Sequence, residues 1–186
     1  MRSKSSFVSG LCFMLFSLVL FNFCAASNVD VSDQEAVSDA VELEKDNFQK
    51  TESYKGPSFK SGDVESVSLF AYKSRLGKMS YSVNGIDLYG KSWRYYDTAY
   101  DSAGKKLKFT SLHRKVSSCD TDTCTYAEIF SIDVTRGYLE RYKEKGIDIQ
   151  ISGKMGKEIF NIPPSYIKGF LSAVPSHGKN RTKNQK

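Results

Sequence analysis

The fold of this chain is indicated most directly by the stretch MSYSVNGIDLY, residues 79–89. From Met79 to Val83, apolar residues alternate with serines, which is the period of a β-strand with one buried face. Asn84-Gly85 follows, and both residues tolerate the positive φ of a tight turn between antiparallel strands. We therefore predict a β-hairpin in which residues 86–89 form the second strand.

Further strands are predicted on both sides of this hairpin. The alternating runs cover residues 64–71, 92–100, 106–116, 123–134, 147–151 and 157–162. In the run 106–116 the apolar period shifts near Thr110, which predicts a β-bulge there. About eight strands in hairpin order predict an antiparallel sheet.

Helices are predicted at three places around these strands. The first covers residues 33–49, because Ser32 and Glu35 form a capping box ahead of a weak apolar stripe. A short second helix includes Tyr138, and a third begins at Pro164 and carries an apolar stripe of i, i+4 spacing. The fold class is therefore α+β: an antiparallel sheet or partly closed barrel covered by the C-terminal helix. An all-β barrel is the alternative.

The beginning of the chain has the pattern of an export signal. Arg2 and Lys4 precede an uncharged run over residues 7–23, and a small-residue cleavage site ends at Ala26. We therefore expect a periplasmic or secreted protein. If Cys24 is retained and lipidated, as in a bacterial lipoprotein, the protein is instead anchored to a membrane.

Composition divides the chain into segments. The signal peptide occupies residues 1–26, an acidic helical segment with a linker 27–63, the antiparallel α+β domain 64–175, and a basic, disordered tail 176–186. Without the signal, 25 Lys and Arg residues stand against 21 Asp and Glu residues. Such a basic balance suits an anionic partner such as a phospholipid surface or an acidic polysaccharide, but scattered lysines that keep the protein soluble explain it first. The partner we expect is an unknown protein, a glycan or an anionic membrane surface. Export argues against nucleic acid, and no oligomeric state is indicated.

The two cysteines outside the signal are the most specific constellation. Cys119 and Cys124 flank four residues between two predicted strands. In an oxidising compartment such a pair predicts a disulfide, worth about 2 kcal/mol by loop closure. A thiol–disulfide exchanger is the alternative. Asp120 and Asp122 argue against it, because carboxylates raise the pKa of a thiol, and no helix N-terminus lowers it.

An aromatic run supplies the candidate binding surface. Trp93, Arg94 and Tyr96 lie in a predicted strand, where Arg94 and Tyr96 would share one face. An aromatic ring beside a cation suits a sugar ring, a peptide or a lipid headgroup. Aromatic packing between strands is the alternative.

No catalytic or metal-binding motif is found in the sequence. His113 and His177 do not have the spacing of zinc ligands, and no Gly-x-Ser-x-Gly turn is present to supply a nucleophilic serine. A calcium-binding loop starting at Asp120 is excluded because Cys124 stands where an oxygen ligand is needed. We predict no cofactor and no metal. The expectation is a non-enzymatic binding or envelope-associated module; the alternative is a thiol–disulfide oxidoreductase or a hydrolase outside the cytoplasm.

Overall fold

The computed structural model describes residues 29–121 and 123–176, so the predicted signal peptide, Asp122 and the tail from residue 177 onward lie outside it. The described residues form ten strands and three helices. The strands are β1 (Glu42–Asp46), β2 (Thr51–Lys55), β3 (Phe59–Ser61), β4 (Val64–Lys73), β5 (Met79–Gly90), β6 (Tyr96–Asp101), β7 (Lys106–Cys119), β8 (Cys124–Val134), β9 (Ile147–Gly153) and β10 (Gly156–Ile162), and the helices are α1 (Gln34–Asp39), α2 (Arg136–Tyr142) and α3 (Pro164–Ala173).

The strands build one antiparallel sheet in the order β1-β2-β4-β5-β8-β7-β6-β9-β10, with β3 also paired to β4. The predicted antiparallel α+β class is confirmed. The sheet is not closed, so the all-β barrel alternative is wrong, and it has more strands than the eight expected. The sheet bends back on itself, because the ring of Phe130 on β8 lies 6.1 Å from that of Phe160 on β10.

The predicted hairpin turn at Asn84-Gly85 is wrong. Strand β5 runs through both residues without a break, and Gly85 pairs with Val67 on one side and Phe130 on the other. A Cβ on Gly85 would lie 2.2 Å from Cζ of Phe130. The glycine is therefore needed because an aromatic ring approaches the strand closely. Besides turns and bulges, such a close approach is a common reason for glycine in the interior of a strand.

The predicted helix over residues 33–49 is also wrong beyond its first turns. Helix α1 ends at Asp39, and its N-cap is Asp33, whose carboxylate accepts from two backbone N–H groups. Strands β1 and β2 then form a hairpin. Its turn is fixed by the carboxylate of Asp46, which accepts hydrogen bonds of 2.8 Å from the backbone of both Phe48 and Gln49. Such Asp-anchored turns compete with continued helix.

Helix α3 confirms the prediction from its apolar stripe. It buries Tyr166, Ile167 and Phe170, and it covers one end of the sheet. The hydroxyl of Tyr166 donates to the carbonyl of Pro57 at 2.7 Å and accepts from the backbone N–H of Leu69 at 3.2 Å. The helix is therefore tied to the β2–β3 connection and to β4.

The strands after β5 differ from prediction in their bounds. β6 begins at Tyr96, and residues 92–95 form a loop instead of strand. The bulge predicted near Thr110 lies at Leu112, where the register between β7 and β8 shifts. None of the described helices has the length and apolarity needed to cross a membrane.

Candidate functional site

The disulfide predicted between Cys119 and Cys124 is confirmed. The two residues are register partners at the ends of β7 and β8, with Cα atoms 4.0 Å apart. They close a hairpin arm, which we define as residues 112–127. Every residue of β7 from Thr110 to Cys119 is exposed. The disulfide therefore fixes the far end of an arm whose β7 strand is exposed.

Three aromatic side chains meet at the base of this arm, and we call them the aromatic cradle: Trp93, Tyr95 and Tyr126. The ring centre of Trp93 lies 4.8 Å from that of Tyr126 and 6.4 Å from that of Tyr95. Tyr95 is 43 % exposed, and the other two rings are half-buried. The guanidinium of Arg114 lies 5.5 Å from the ring centre of Tyr95. The cradle thus offers aromatic surface beside a cation.

The structure separates the predicted binding residues. Trp93 belongs to the cradle, but Arg94 turns inward and its Nη1 donates to Asp87 at 3.0 Å and to the hydroxyl of Tyr96 at 2.7 Å. Tyr96 is fully buried. Arg94 also contacts Glu158 on β10. A binding role for these residues stays a prediction, and the aromatic surface that a ligand can reach in this run is that of Trp93 and Tyr95.

A buried carboxylate holds the loop that carries the cradle. Glu128 is 2 % exposed and accepts from the backbone N–H groups of Tyr95 at 2.7 Å and Tyr96 at 3.0 Å. It also accepts from Nε of Arg114 at 3.0 Å and from the hydroxyl of Tyr89. This carboxylate therefore ties the loop and the base of the arm to β5.

The backbone of this loop is strained at both ends. Lys91 has a φ of 78° and Tyr95 a φ of 55°, a region that side chains other than glycine rarely enter. Such a conformation costs about 1–2 kcal/mol for each residue. Gly153 allows the loop to lie close, because a Cβ there would be 2.3 Å from the carbonyl oxygen of Tyr95. The surrounding structure therefore imposes the position of the loop.

The charges behind the cradle have unequal environments. Burial raises the pKa of Asp87 above its usual value, although Tyr96 and Arg94 oppose this, and its Oδ1 has no hydrogen-bond partner among the described residues. Burial also acts to raise the pKa of Glu128. The hydrogen bonds from Tyr89 and Arg114 outweigh burial there, so the pKa of Glu128 is lowered. Glu128 is thus the carboxylate best suited to stay ionised.

A pocket of about 600 Å³ continues the cradle toward the tip of the arm. It is lined by Lys91, Asp120, Thr121, Thr123, Cys124 and Tyr126. Tyr126 belongs to both the pocket and the cradle. The accessible surface therefore runs from aromatic rings to hydroxyl, carboxylate and ammonium groups, which is the mixture found in sites that orient a ligand by a few polar contacts.

A second pocket, of about 350 Å³, bears on the hydrolase alternative, because Asp101 and Asp148 both line it. Asp101 is 6 % exposed and accepts from the hydroxyls of Tyr138 and Tyr142 and from the backbone of its own turn. Asp148 accepts from the amide of Asn161 at 2.7 Å. Both carboxylates are therefore occupied in holding the strands and turn together.

Sequence reasoning missed the residues that join the arm to the loop. Tyr95 was assigned to a strand, and Tyr126 was not singled out, although it lies on the same face of β8 as the buried Phe130 and Ile132. Glu128 is a charged residue at a position of the β8 alternation that Phe130 and Ile132 also occupy, which is the one signal that could have indicated it. Its pairing with Arg114 depends on the register of β7 and β8.

The described residues contain no group of three side chains suited to hold a metal ion, and His113 lies exposed on β7. No family model, curated protein or solved structure matches the chain. Function is therefore inferred from the chemistry of the site alone.

Proposed function

We propose that this protein is an exported, non-enzymatic binding module that holds its partner at the aromatic cradle and the adjoining face of the hairpin arm. The export part rests on the pattern of residues 1–26. The binding part rests on the cradle, its neighbouring cations and the pocket that continues it.

The observation that carries the proposal is the enforced conformation of the loop. Tyr95 keeps a left-handed backbone because the buried Glu128 accepts from two consecutive N–H groups there. Backbone strain of this kind persists only where the surroundings over-determine it, and it concentrates at functional sites. A rigid aromatic surface loses little entropy when a ligand binds, which favours affinity.

Fluorescence tests the binding proposal, because Trp93 is the only tryptophan in the chain. Emission is recorded while oligosaccharides, peptides and anionic vesicles are added in turn. We expect one of these classes to shift the emission. Tyr126→Ala should reduce its affinity about tenfold, because an aromatic or cation–π contact in a desolvated site is worth about 1–2 kcal/mol. Phe48→Ala is the matched control, because Phe48 is 99 % exposed and distant in the fold. A partner that binds Tyr126→Ala and wild type equally well would contradict the proposal that the cradle is the binding site.

Mass spectrometry tests export. Expression of the full chain in a secreting host should release a mature protein beginning at Ser27. A product that retains Cys24 with an attached lipid would instead establish the anchored form, and a chain that stays in the cytoplasm with its leader would contradict export.

One observation favours the alternative of a thiol–disulfide exchanger: Cys119 is exposed. Its reduction potential separates the two functions. A structural bridge resists glutathione and lies below about −300 mV, whereas a catalytic one is reduced by the glutathione pool.

A further inference from the structure

We infer that the free edge of β7 binds an extended segment of another protein as an added β-strand, with acidic and apolar residues alternating along that segment. This inference rests on the proposed function and specifies its partner. It is carried by an unpaired strand edge, by the charges along it, and by its position beside the cradle.

The edge is long and unpaired. β7 has 14 residues and pairs with β8 over nearly all of them, but it pairs with β6 only at Lys106 and Leu107. From Lys108 to Cys119 no strand of the described chain occupies the opposite edge. An edge of this kind presents backbone donors and acceptors to any chain that can lie along it.

The charge of the edge selects the partner. β7 contains Lys106, Lys108, His113, Arg114 and Lys115 and no acidic residue. Lys108 is paired with Asp133 at 2.6 Å and Arg114 with Glu128, but Lys115 has no ion-pair partner among the described residues. Two β7 edges would repel each other if they paired, and this disfavours a dimer joined through the β7 strands of both copies. The same charge attracts an acidic segment.

The two faces of the arm favour different side chains. Register partners lie on the same face, so Val116 stands beside Tyr126 on the cradle face, whereas His113 and Lys115 stand beside Ile129 and Ala127 on the opposite face. Val116 is 49 % exposed. Because successive side chains of a strand point to opposite faces, an added strand would place apolar residues against Val116 and acidic residues beside Lys115.

The probe that tests this is an acetylated, amidated peptide of alternating Glu and Val, about eight residues long, which is the usual length of a strand. Binding is followed by fluorescence anisotropy of a labelled peptide, and strand addition by hydrogen exchange of the full-length mature protein. We expect binding together with slower exchange of backbone amides within residues 109–118. A peptide of alternating Lys and Val should bind at least about tenfold more weakly.

Matched variants separate strand addition from general attraction. Lys115→Glu should weaken binding of the Glu-Val peptide about tenfold. Lys157, on the edge strand β10, is also exposed, and Lys157→Glu should leave the affinity unchanged within about twofold. The same peptide with every amide N-methylated cannot donate to the edge and should not bind. Equal binding of the N-methylated peptide, or of Lys115→Glu, would overturn the inference.

Three further outcomes decide between the proposals. If wild type forms dimers in sedimentation experiments and loses them in Lys115→Glu, β7 binds an acidic segment of a second copy and the inference is wrong. If Trp93 emission responds to an oligosaccharide or a vesicle while the peptide leaves β7 exchange unchanged, the inference fails and the proposed function stands. If the peptide protects β7 but binds Tyr126→Ala as well as wild type, strand addition is supported and a role of the cradle in binding is contradicted.

Discussion

The two ends of this molecule are held in place by different interactions. At the helix-covered end, Val37, Ile167 and Phe170 are fully buried, and Gly169 lets α1 approach α3 so closely that a Cβ would lie 2.5 Å from the carbonyl oxygen of Gln34. Burial of apolar surface and close packing account for this end. Such packing is non-directional and tolerates changes that preserve volume.

The arm end depends on directional contacts instead. Glu128, Asp87 and Tyr96 are buried together with the guanidinium of Arg94 close by, and a disulfide closes the tip. Buried ion pairs add little net stability, because desolvation offsets most of the attraction, but they fix geometry. The comparison teaches that the helix end is held by apolar burial, whereas the arm end uses polar contacts to hold one loop in one conformation.

The largest effect is expected from a cavity at the helix end. Phe170→Ala should lower the free energy of unfolding by about 4 kcal/mol, because a buried ring is lost and the site cannot collapse fully. Urea denaturation measures it. Phe48→Ala is the matched control and should change stability by less than about 0.5 kcal/mol, since Phe48 is 99 % exposed. Equal losses in the two variants would mean that α3 does not cover the core.

The next effect is expected at the carboxylate behind the cradle. Glu128→Gln should cost about 3 kcal/mol at neutral pH, because Arg114 loses its buried partner. The pKa of Glu128 is lowered in the folded protein, so its stabilisation is present above the usual Glu value and is lost as the pH falls through the folded pKa. The difference between variant and wild type should therefore shrink in acid.

Urea denaturation at neutral pH and near pH 3 measures this dependence. Glu65→Gln is the control, because the side chain of Glu65 is half-exposed beside Lys60 and should give a small, nearly constant difference. A Glu128→Gln cost that grows in acid would contradict the assignment of Glu128 as the ionised carboxylate.

A smaller effect is expected from the disulfide. Replacing Cys119 and Cys124 together by Ser should lower stability by about 2 kcal/mol, by the entropy of closing a short loop. Hydrogen exchange should speed up within residues 112–127, and the helix end should be unchanged. Reductant should reproduce the effect in wild type and do nothing to the double variant. Faster exchange spread evenly over the molecule would show that the arm is not an independent region.

The smallest effect is expected at the strained backbone. At residue 95, Gly should be more stable than Ala by about 1 kcal/mol, because only Gly enters the left-handed region without a steric penalty. At residue 93, which is not among the positive-φ positions, Ala should be the more stable of the two. Thermal unfolding of the four variants measures both differences. A Tyr95→Ala variant as stable as Tyr95→Gly, or more stable, would mean that Tyr95 is not strained.

Features that depend on a local pattern of residues were predicted from the sequence, and features that depend on pairing between strands were not. The stripe of α3, the alternation of β4, β8 and β9, and the Cys119–Cys124 bridge were predicted, because each is a local pattern of burial or spacing. The helix predicted over residues 33–49 is wrong after Asp39, because the Asp46 turn and the pairing of β2 with β4 favour strands there. The site was predicted only at Trp93 and the disulfide.

The stretch 79–89 shows why the rest required the tertiary structure. By itself it determined that these residues are strand and that alternate side chains are buried. Whether Asn84-Gly85 is a turn depended on Phe130, a residue 45 positions away along the chain, whose ring takes the space of a Cβ. Once β5 is unbroken, the alternation that buries Tyr81 and Val83 also buries Asp87. The periodicity of a strand can be seen in its own residues. Which ring, cation or strand lies opposite is decided by the register between strands, and register is a property of the whole sheet.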